Sequence, residues 1–227
     1  MWNSNLREYK GLTLMELIIS LGMLSLLLIL IFSTFELGTR LFRDTTTRQN
    51  TETELRGIKL MLERDVNLSN FWYSDSEERA VDLERRDALS LSSLSNWDDP
   101  ALYDPVTKRP AWNRYTVWYA TMEAKGRLIR QAVEPSLGGA AYFTQPYGAL
   151  KHNLNDNPLS NSSVVYSREL TRDLKEFQAD MRLQNGTVEA RLRLHATGTQ
   201  RPQTGVKTED HLEVTLVLQP KNSWPAI

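Results

Sequence analysis

The most prominent pattern in the chain is an apolar run close to its N-terminus. Residues 12–35 read LTLMELIISLGMLSLLLILIFSTF, and Glu16 is the single charged residue among them. A helix of this length extends for about 36 Å at 1.5 Å per residue, which is enough to cross the roughly 30 Å hydrocarbon layer of a bilayer. The run therefore predicts a transmembrane helix.

Two ordinary kinds of membrane segment compete to explain this run. A cleavable secretory signal has an apolar core of about 7–15 residues followed by small residues at its cleavage site, whereas this run is longer and no alanine precedes Ala80. An uncleaved signal anchor fits the length, and only Glu16 argues against it. A carboxylate costs roughly 2.5–3.5 kcal/mol at the bilayer centre and less near an interface, so it needs a cationic partner or a place at headgroup level.

A second apolar pattern follows with helical spacing. Four apolar residues recur at steps of three and four: Leu55, Ile58, Leu62 and Val66. This stripe is typical of an amphipathic helix that faces a core. Because the stretch between the two patterns contains no proline, we expect one long helix over residues 12–66, loosened at most near three consecutive threonines. A membrane helix followed by a separate soluble helix is the alternative.

Beyond residue 66 the pattern changes to a period of two, which is typical of strands with one buried face. The predicted strands cover residues 88–92, 115–119, 127–130, 177–183, 188–194 and 212–218. Leu170, Leu174 and Phe177 have helical spacing and predict a short helix before the fourth strand. Asn185-Gly186 predicts a two-residue type I′ turn after it. The predicted loops cover residues 97–110, 137–163 and 197–208.

These elements predict an α+β fold. The last three strands form an antiparallel meander with one apolar face, which needs a cover. The stripe on the second half of the long helix is the natural cover. We therefore expect a long N-terminal helix, transmembrane and then amphipathic, packed on a mostly antiparallel β-sheet domain.

Composition narrows the classes of function. The chain of 227 residues has 27 Lys and Arg against 28 Asp and Glu, and this balance gives no reason to expect nucleic acid as a partner. The absence of cysteine excludes a disulfide framework, a thiolate zinc site, an iron–sulfur cluster and a cysteine nucleophile. The sequence also lacks a phosphate-binding glycine loop, a nucleophile elbow and an HExxH motif. We expect no catalysis, no cofactor and no small-molecule substrate.

The start of the apolar run carries a specific motif. Residues 10–16, KGLTLME, resemble the processing site of type IV pilins and pseudopilins, in which a short basic leader ends in glycine and is followed by a hydrophobic residue, Thr, Leu, any residue, Glu and an apolar helix. The resemblance implies that prepilin peptidase cuts between Gly11 and Leu12, and that the new amine of Leu12 is methylated. It divides the chain into a leader (1–11), a transmembrane half-helix (12–35), an amphipathic half-helix (36–66) and a globular domain (67–227), which together form the lollipop of a pilin.

The resemblance also gives Glu16 a role in subunit assembly, since it falls on the family's glutamate at mature position five. A carboxylate and the amine of a neighbouring subunit attract strongly at low dielectric, and a mismatch leaves two uncompensated charges. Such a pair would set the axial register of packed helices. Leu12 stands where the family most often has Phe, and the run lacks a kinking proline; both departures favour a minor component over the main filament subunit.

The implied function is that of a minor pilin or pseudopilin, a non-catalytic subunit that is assembled into a type IV pilus or a type II secretion pseudopilus. The sequence leaves open whether it is placed in the shaft, at the tip or in an initiation complex. The order of elements is also similar to that of the J-type minor pseudopilin of type II secretion. The implied partners are prepilin peptidase, other pilins or pseudopilins and the bacterial inner membrane, with the C-terminal domain outside the cytoplasm. The alternative is a membrane-anchored extracytoplasmic enzyme or ligand-binding protein with an uncleaved signal anchor, which requires a convergent catalytic cluster.

Several side chains are weaker candidates for chemistry. The histidines are His152, His195 and His211, and their spacing does not favour a metal site. Calcium could be held by Asp98, Asp99 and Asp104, or by Asn153, Asn155, Asp156 and Asn157, although turn formation explains both groups more simply. Trp97, Trp112 and Trp118 could form a binding surface, with core packing expected for Trp118. Arg168, Arg172 and Lys175 alternate with acids and predict a solvated helix face rather than a DNA-binding patch.

Overall fold

The fold was determined from a computed structural model of the chain, which describes residues 13–137, 142–143, 145–148, 159–196 and 210–223. The chain divides into two compact units, the first ending at Thr46 and the second beginning at Thr47. The first unit contains the apolar part of a single helix. The second contains the rest of that helix and a β-sheet, so the α+β class is confirmed.

Helix α1 covers Leu14–Leu68 without a break, which confirms one long helix instead of two separate ones. Two of its C-terminal carbonyls, which lack partners within a helix, accept hydrogen bonds from residues 221 and 222. The side-chain amide of Asn222 donates to the carbonyl of Leu68 at 2.7 Å, and the backbone N–H of Lys221 donates to the carbonyl of Asn67 at 3.1 Å. The helix therefore ends where another segment can pair its last turn.

The second unit is built on a seven-stranded antiparallel sheet. Its strands are β1 (Asp75–Glu77), β4 (Ala88–Ser93), β5 (Arg114–Ala120), β6 (Gly126–Val133), β7 (Val164–Arg182), β8 (Thr187–Ala196) and β9 (Asp210–Leu218), and a separate two-stranded hairpin consists of β2 (Ala80–Val81) and β3 (Glu84–Arg85). The strand order in the large sheet is β1-β4-β5-β6-β7-β8-β9. The β5–β6 hairpin and the β7–β8–β9 meander agree with the alternation in the sequence.

One face of the sheet packs against the second half of α1. Ile58, Leu62 and Val66 are at most 2% exposed and share a cluster with residues of six strands, among them Trp118 and Phe177. Leu55 packs at the edge of the same cluster. The apolar stripe therefore covers the meander, as its spacing predicts.

The opposite face of the sheet has a smaller aromatic cover. Tyr115 stacks on Tyr147 with ring centroids 4.9 Å apart and also packs against Phe143 at 4.8 Å. The hydroxyl of Ser90 on β4 donates to the carbonyl of Tyr147. Burial beside Tyr147 raises the pKa of Tyr115 well above its ordinary value, which fits a phenol enclosed among other aromatic rings.

The short helix predicted around Leu170, Leu174 and Phe177 is wrong, because these residues belong to the 19-residue strand β7. The pairing of β7 with β8 shifts register between Leu174 and Glu176, which marks a β-bulge. One extra residue reverses the side-chain alternation, so Leu174 and Phe177 both enter the core although they are three positions apart. The bulge thus reproduces in a strand the spacing that a helix would show.

The turn after β7 also differs from the prediction. Arg182 pairs with Thr187, so the loop has four residues, and the N–H of Asn185 donates to the carbonyl of Arg182 at 3.2 Å. A type I′ turn needs positive φ at both central residues, but of the Asn185-Gly186 pair only Gly186 has one, at 61°. Leu183, predicted to continue the strand, is exposed in this loop.

Candidate functional site

The N-terminal part of α1 presents apolar side chains on every side. Residues 13–38 are all exposed, and the large apolar side chains among them keep between 44% and 79% of their surface accessible. In the described part of the chain, α1 is the one helix that is long and apolar enough to cross a membrane. A helix that is hydrophobic all round must be covered by lipid or by other helices, so this segment is suited to anchoring the chain in a membrane by a single pass.

Glu16 lies in the first turn of this helix and forms a capping box with Thr13. The backbone N–H and the hydroxyl of Thr13 donate to Oε2 of Glu16, each at 3.0 Å, and the N–H of Glu16 is 3.3 Å from Oγ1 of Thr13. This reciprocal arrangement satisfies N–H groups that have no partner within the helix. The negative charge also lies at the positive end of the helix dipole. Glu16 therefore stabilises the start of α1 within its own chain.

The capping role of Thr13 was not predicted, although the sequence contains a pattern that indicates it. The spacing Thr-x-x-Glu directly before an apolar run is the signature of a capping box. Gly11 and Leu12, the predicted cleavage site and the predicted methylated residue, lie outside the described residues. Their roles, and the assembly role of Glu16, stay predictions.

Within the second unit, one acid ties the helix to the sheet. Asp65 of α1 accepts two hydrogen bonds from the guanidinium of Arg130, at 2.6 and 2.9 Å, and one from Nε1 of Trp118 at 2.9 Å. Burial opposes the charge on Arg130, but the hydrogen bonds and the charge of Asp65 still raise the pKa of Arg130. These three side chains fix the helix on strands β5 and β6. Because they are paired with one another, the contact is structural.

Another acid, the buried Asp87, fixes the β2–β3 hairpin. Its side chain is inaccessible and accepts hydrogen bonds from the guanidinium of Arg85 at 2.7–3.1 Å, from the N–H of Arg79 at 3.0 Å and from the N–H of Ala179 on β7 at 2.8 Å. The hydrogen bonds that Arg85 donates to Asp87 and to Asp180 raise the pKa of Arg85. The carboxylate is saturated with donors, so it serves to hold the hairpin base.

The candidate metal ligands are distributed as follows. His195 and His211 face each other on β8 and β9, while His152 and residues 153–157 lie outside the described residues. Asp99 accepts from the N–H of Ala101 at 2.9 Å, and Asp104 accepts from two backbone N–H groups, which lower its pKa. Both acids form turns, as expected. Among the described residues, no group of three or more His, Cys, Asp or Glu side chains could hold a metal ion.

The tryptophans do not form the surface considered for them. Trp118 is fully buried, as predicted, but Trp112 is only 2% exposed, so its assignment to an exposed surface is wrong. Trp97 is half-buried and packs edge-to-face on Trp112 with centroids 6.1 Å apart. The basic residues Arg168, Arg172 and Lys175 lie on β7, so the predicted helix face is wrong as well.

Comparison with protein-family models, with curated proteins and with solved structures yields no match for the chain.

Proposed function

We propose that the chain is a minor pilin or pseudopilin. In this proposal prepilin peptidase cuts after Gly11, Leu12 is methylated, and the subunit enters a type IV pilus or a type II secretion pseudopilus through the apolar part of α1. The domain outside the membrane contacts neighbouring subunits and catalyses nothing. The observation that carries the proposal is a single acid, Glu16, at the start of a helix segment that is otherwise apolar and exposed on all sides.

The physical argument begins with the apolar surface of the first unit. Its side chains have no cover within the part of the chain that the structure describes, so the free energy of burying them is available to lipid at first and to the helices of other subunits later. Glu16 makes the transfer from lipid to other subunits selective, because its charge requires a partner on the neighbouring helix. An ionised carboxylate can accept about four hydrogen bonds, and Thr13 supplies two of them to one oxygen. A methylated amine on the neighbouring subunit supplies the missing charge and the missing donors.

Mass spectrometry of the mature N-terminus is the experiment that tests the proposal. The full chain is expressed in a bacterium that makes type IV pili or a type II secretion system, with and without its prepilin peptidase. We expect a chain that begins at methylated Leu12, and the unprocessed chain where the peptidase is missing. A protein that keeps Met1 in the presence of the peptidase would instead be a membrane-anchored protein with an uncleaved signal, and the proposal would be wrong.

Replacing Glu16 separates its two roles, capping and assembly. Glutamine can take the acid's place in a capping box but carries no charge, whereas alanine removes both functions. We expect Glu16→Gln and Glu16→Ala to be inserted and processed, and both to be lost from sheared filament fractions. The readout is the amount of each variant in that fraction relative to the membrane fraction.

Thr13→Ala is the matched control for this series, because it removes the cap and keeps the charge. We expect Thr13→Ala to enter filaments. If Glu16→Gln assembles like the unmodified chain while Glu16→Ala and Thr13→Ala do not, then Glu16 acts only as a helix cap and its assembly role is refuted.

A further inference from the structure

The β2–β3 hairpin ends in an exposed apolar residue with a strained backbone. Asp82 and Leu83 form its two-residue turn with φ of 49° and 72°. Positive φ at both positions defines a type I′ turn, which favours Asn-Gly or Asp-Gly because a side chain crowds the left-handed region. Leu83 nevertheless occupies the glycine position, and its side chain is fully exposed at 101%. Strain of this kind in an exposed residue points to a function for the side chain.

The base of the same hairpin is held rigidly. Asp87 accepts hydrogen bonds from Arg79, directly before β2, and from Arg85, the last residue of β3, and the N–H of Arg86 donates to the carbonyl of Arg79 at 2.7 Å. Arg86 is itself buried and donates to the carbonyl of Leu174 on β7 at 2.9 Å. A tip fixed in this way loses little conformational entropy when it binds a partner.

A groove at another place on the second unit suits this tip. It measures about 710 Å³ and lies between the last turn of α1 and the segment after β4. Leu68 and the half-buried Trp97 supply its apolar walls. Its rim carries the exposed side chain of Arg64, together with Asn67 and Asp98. The apolar walls suit the side chain of Leu83, and the adjacent cation of Arg64 suits the carboxylate of Asp82.

The tip and the groove cannot meet within one molecule, because they lie beyond opposite ends of β4. The hairpin is anchored at Asp87, directly before this strand, whereas Trp97 and Asp98 follow it. The six residues of β4 separate the two by about 20 Å at roughly 3.3 Å per residue. A contact between them is therefore intermolecular, and since it joins two different surfaces it is heterologous and can repeat from copy to copy.

We propose that the Asp82-Leu83 tip of one copy docks into the Leu68–Trp97 groove of a second copy of this chain. Leu83 fills the apolar part of the groove, and the Asp82 carboxylate lies against the Arg64 guanidinium. Asp98 stands on the same rim and repels Asp82, so Asp98→Asn should strengthen the contact. The inference does not depend on the proposed function, because a chain that keeps its first residues can form the same contact.

Disulfide cross-linking of the full chain in detergent micelles tests this contact, and the absence of native cysteine makes it specific. A Leu83→Cys variant is mixed with a size-tagged Leu68→Cys variant under mild oxidation. The matched control replaces the first partner by Leu159→Cys, which is 98% exposed at a different place on the unit. We expect the mixed dimer for the 83–68 pair and its loss for the 159–68 pair.

Charge reversal and removal of the side chain complete the test. Asp82→Arg in the Leu83→Cys copy and Arg64→Asp in the Leu68→Cys copy should each abolish the mixed dimer, and their combination should restore it. Leu83→Gly relieves the strain of the turn, so it should lose self-association in sedimentation without a lower melting temperature. Equal cross-linking of the 83 and 159 positions, or unchanged association of Leu83→Gly, would overturn the proposal, whether or not the N-terminus is processed.

Discussion

Three acids of this chain differ in what surrounds them, and the difference determines what each can do. Asp87 is enclosed and saturated with donors from neighbouring strands. Glu213, on the solvent side of β9, lies between two arginines of β8: its oxygens accept from Arg191 at 2.8 Å and from Arg193 at 2.8 Å. Among the residues that the structure describes, Glu16 accepts hydrogen bonds only from its own helix start. The first two therefore belong to the fold, and the third retains capacity for a partner.

Glu213 should make the stability of the second unit depend on pH. Hydrogen bonds from Arg191 and Arg193 lower the pKa of Glu213 to about 2, below its value of about 4.3 in an unfolded chain. A lowered pKa means that the ion pairs stabilise the folded state above about pH 4.3 and that this contribution disappears as the pH falls towards 2. We expect Glu213→Gln to lower the melting temperature at pH 7, and the difference from the unmodified chain to shrink between pH 5 and pH 2.

The control for this prediction is Glu52→Gln, which removes an exposed pair with Arg48 on α1. Exposed pairs of this kind contribute about 0.2–1 kcal/mol or nothing measurable, so the melting temperature should change little at any pH. A Glu213→Gln difference that persists unchanged at pH 2 would show that the loss comes from packing and not from charge.

The second half of α1 offers a direct test of how the helix stabilises the sheet. Leu62 is 1% exposed in the main core cluster, whereas Leu60 on the same helix is 59% exposed. Truncating a buried leucine costs about 2–5 kcal/mol through lost transfer energy and a cavity. We expect Leu62→Ala to lower the free energy of unfolding by this amount, and Leu60→Ala to change it by less than about 0.5 kcal/mol.

Denaturant unfolding followed by tryptophan fluorescence measures both variants, because Trp118 lies in the same cluster as Leu62. Similar losses for the two variants would mean that the helix does not pack on the sheet through this stripe. The experiment therefore tests the element that joins the helix to the rest of its unit.

The helix and most strands could be predicted because their side chains repeat with the period of the backbone. The helical repeat alone predicts the stripe that contains Leu62, and alternation alone predicts the strands of the meander. Strand β7 could not be predicted in full, because the bulge between Leu174 and Glu176 breaks the period of two. A bulge depends on the partner strand, and no local pattern around Leu174 reveals that partner.

The burial of Arg86 and Asp87 could not be predicted for a related reason. Residues 84–87 read ERRD, a charged run that is typical of a solvated surface. Arg86 and Asp87 are nevertheless buried, because Leu174 and Ala179 on β7 supply their hydrogen-bond partners. Burial of charge requires pairing. The opposite charges are local, since Asp87 pairs with Arg85 and Arg86 with Glu84, but the further hydrogen-bond partners come from a strand far away in the sequence.

At the scale of the whole molecule, the two units differ in where their large apolar side chains lie. Large apolar side chains of the first unit are exposed without exception between Leu14 and Leu37, while those of the second unit are gathered mainly in two core clusters. The second unit can satisfy its own hydrophobic groups and the first cannot. Solubility and location therefore depend on what covers residues 13–38, and the most direct cover is lipid.

A charge placed at the middle of the apolar segment tests this dependence. An arginine at the bilayer centre costs roughly 2.5–3.5 kcal/mol on insertion scales, so we expect Leu26→Arg to leave a substantial share of the full chain outside carbonate-washed membranes. Leu26→Ala keeps the segment apolar and should stay in the membrane. Leu60→Arg places the same charge on an exposed position of the second unit, and it should not change the distribution. If Leu26→Arg is retained as fully as both controls, the apolar part of α1 is covered by protein and not by lipid.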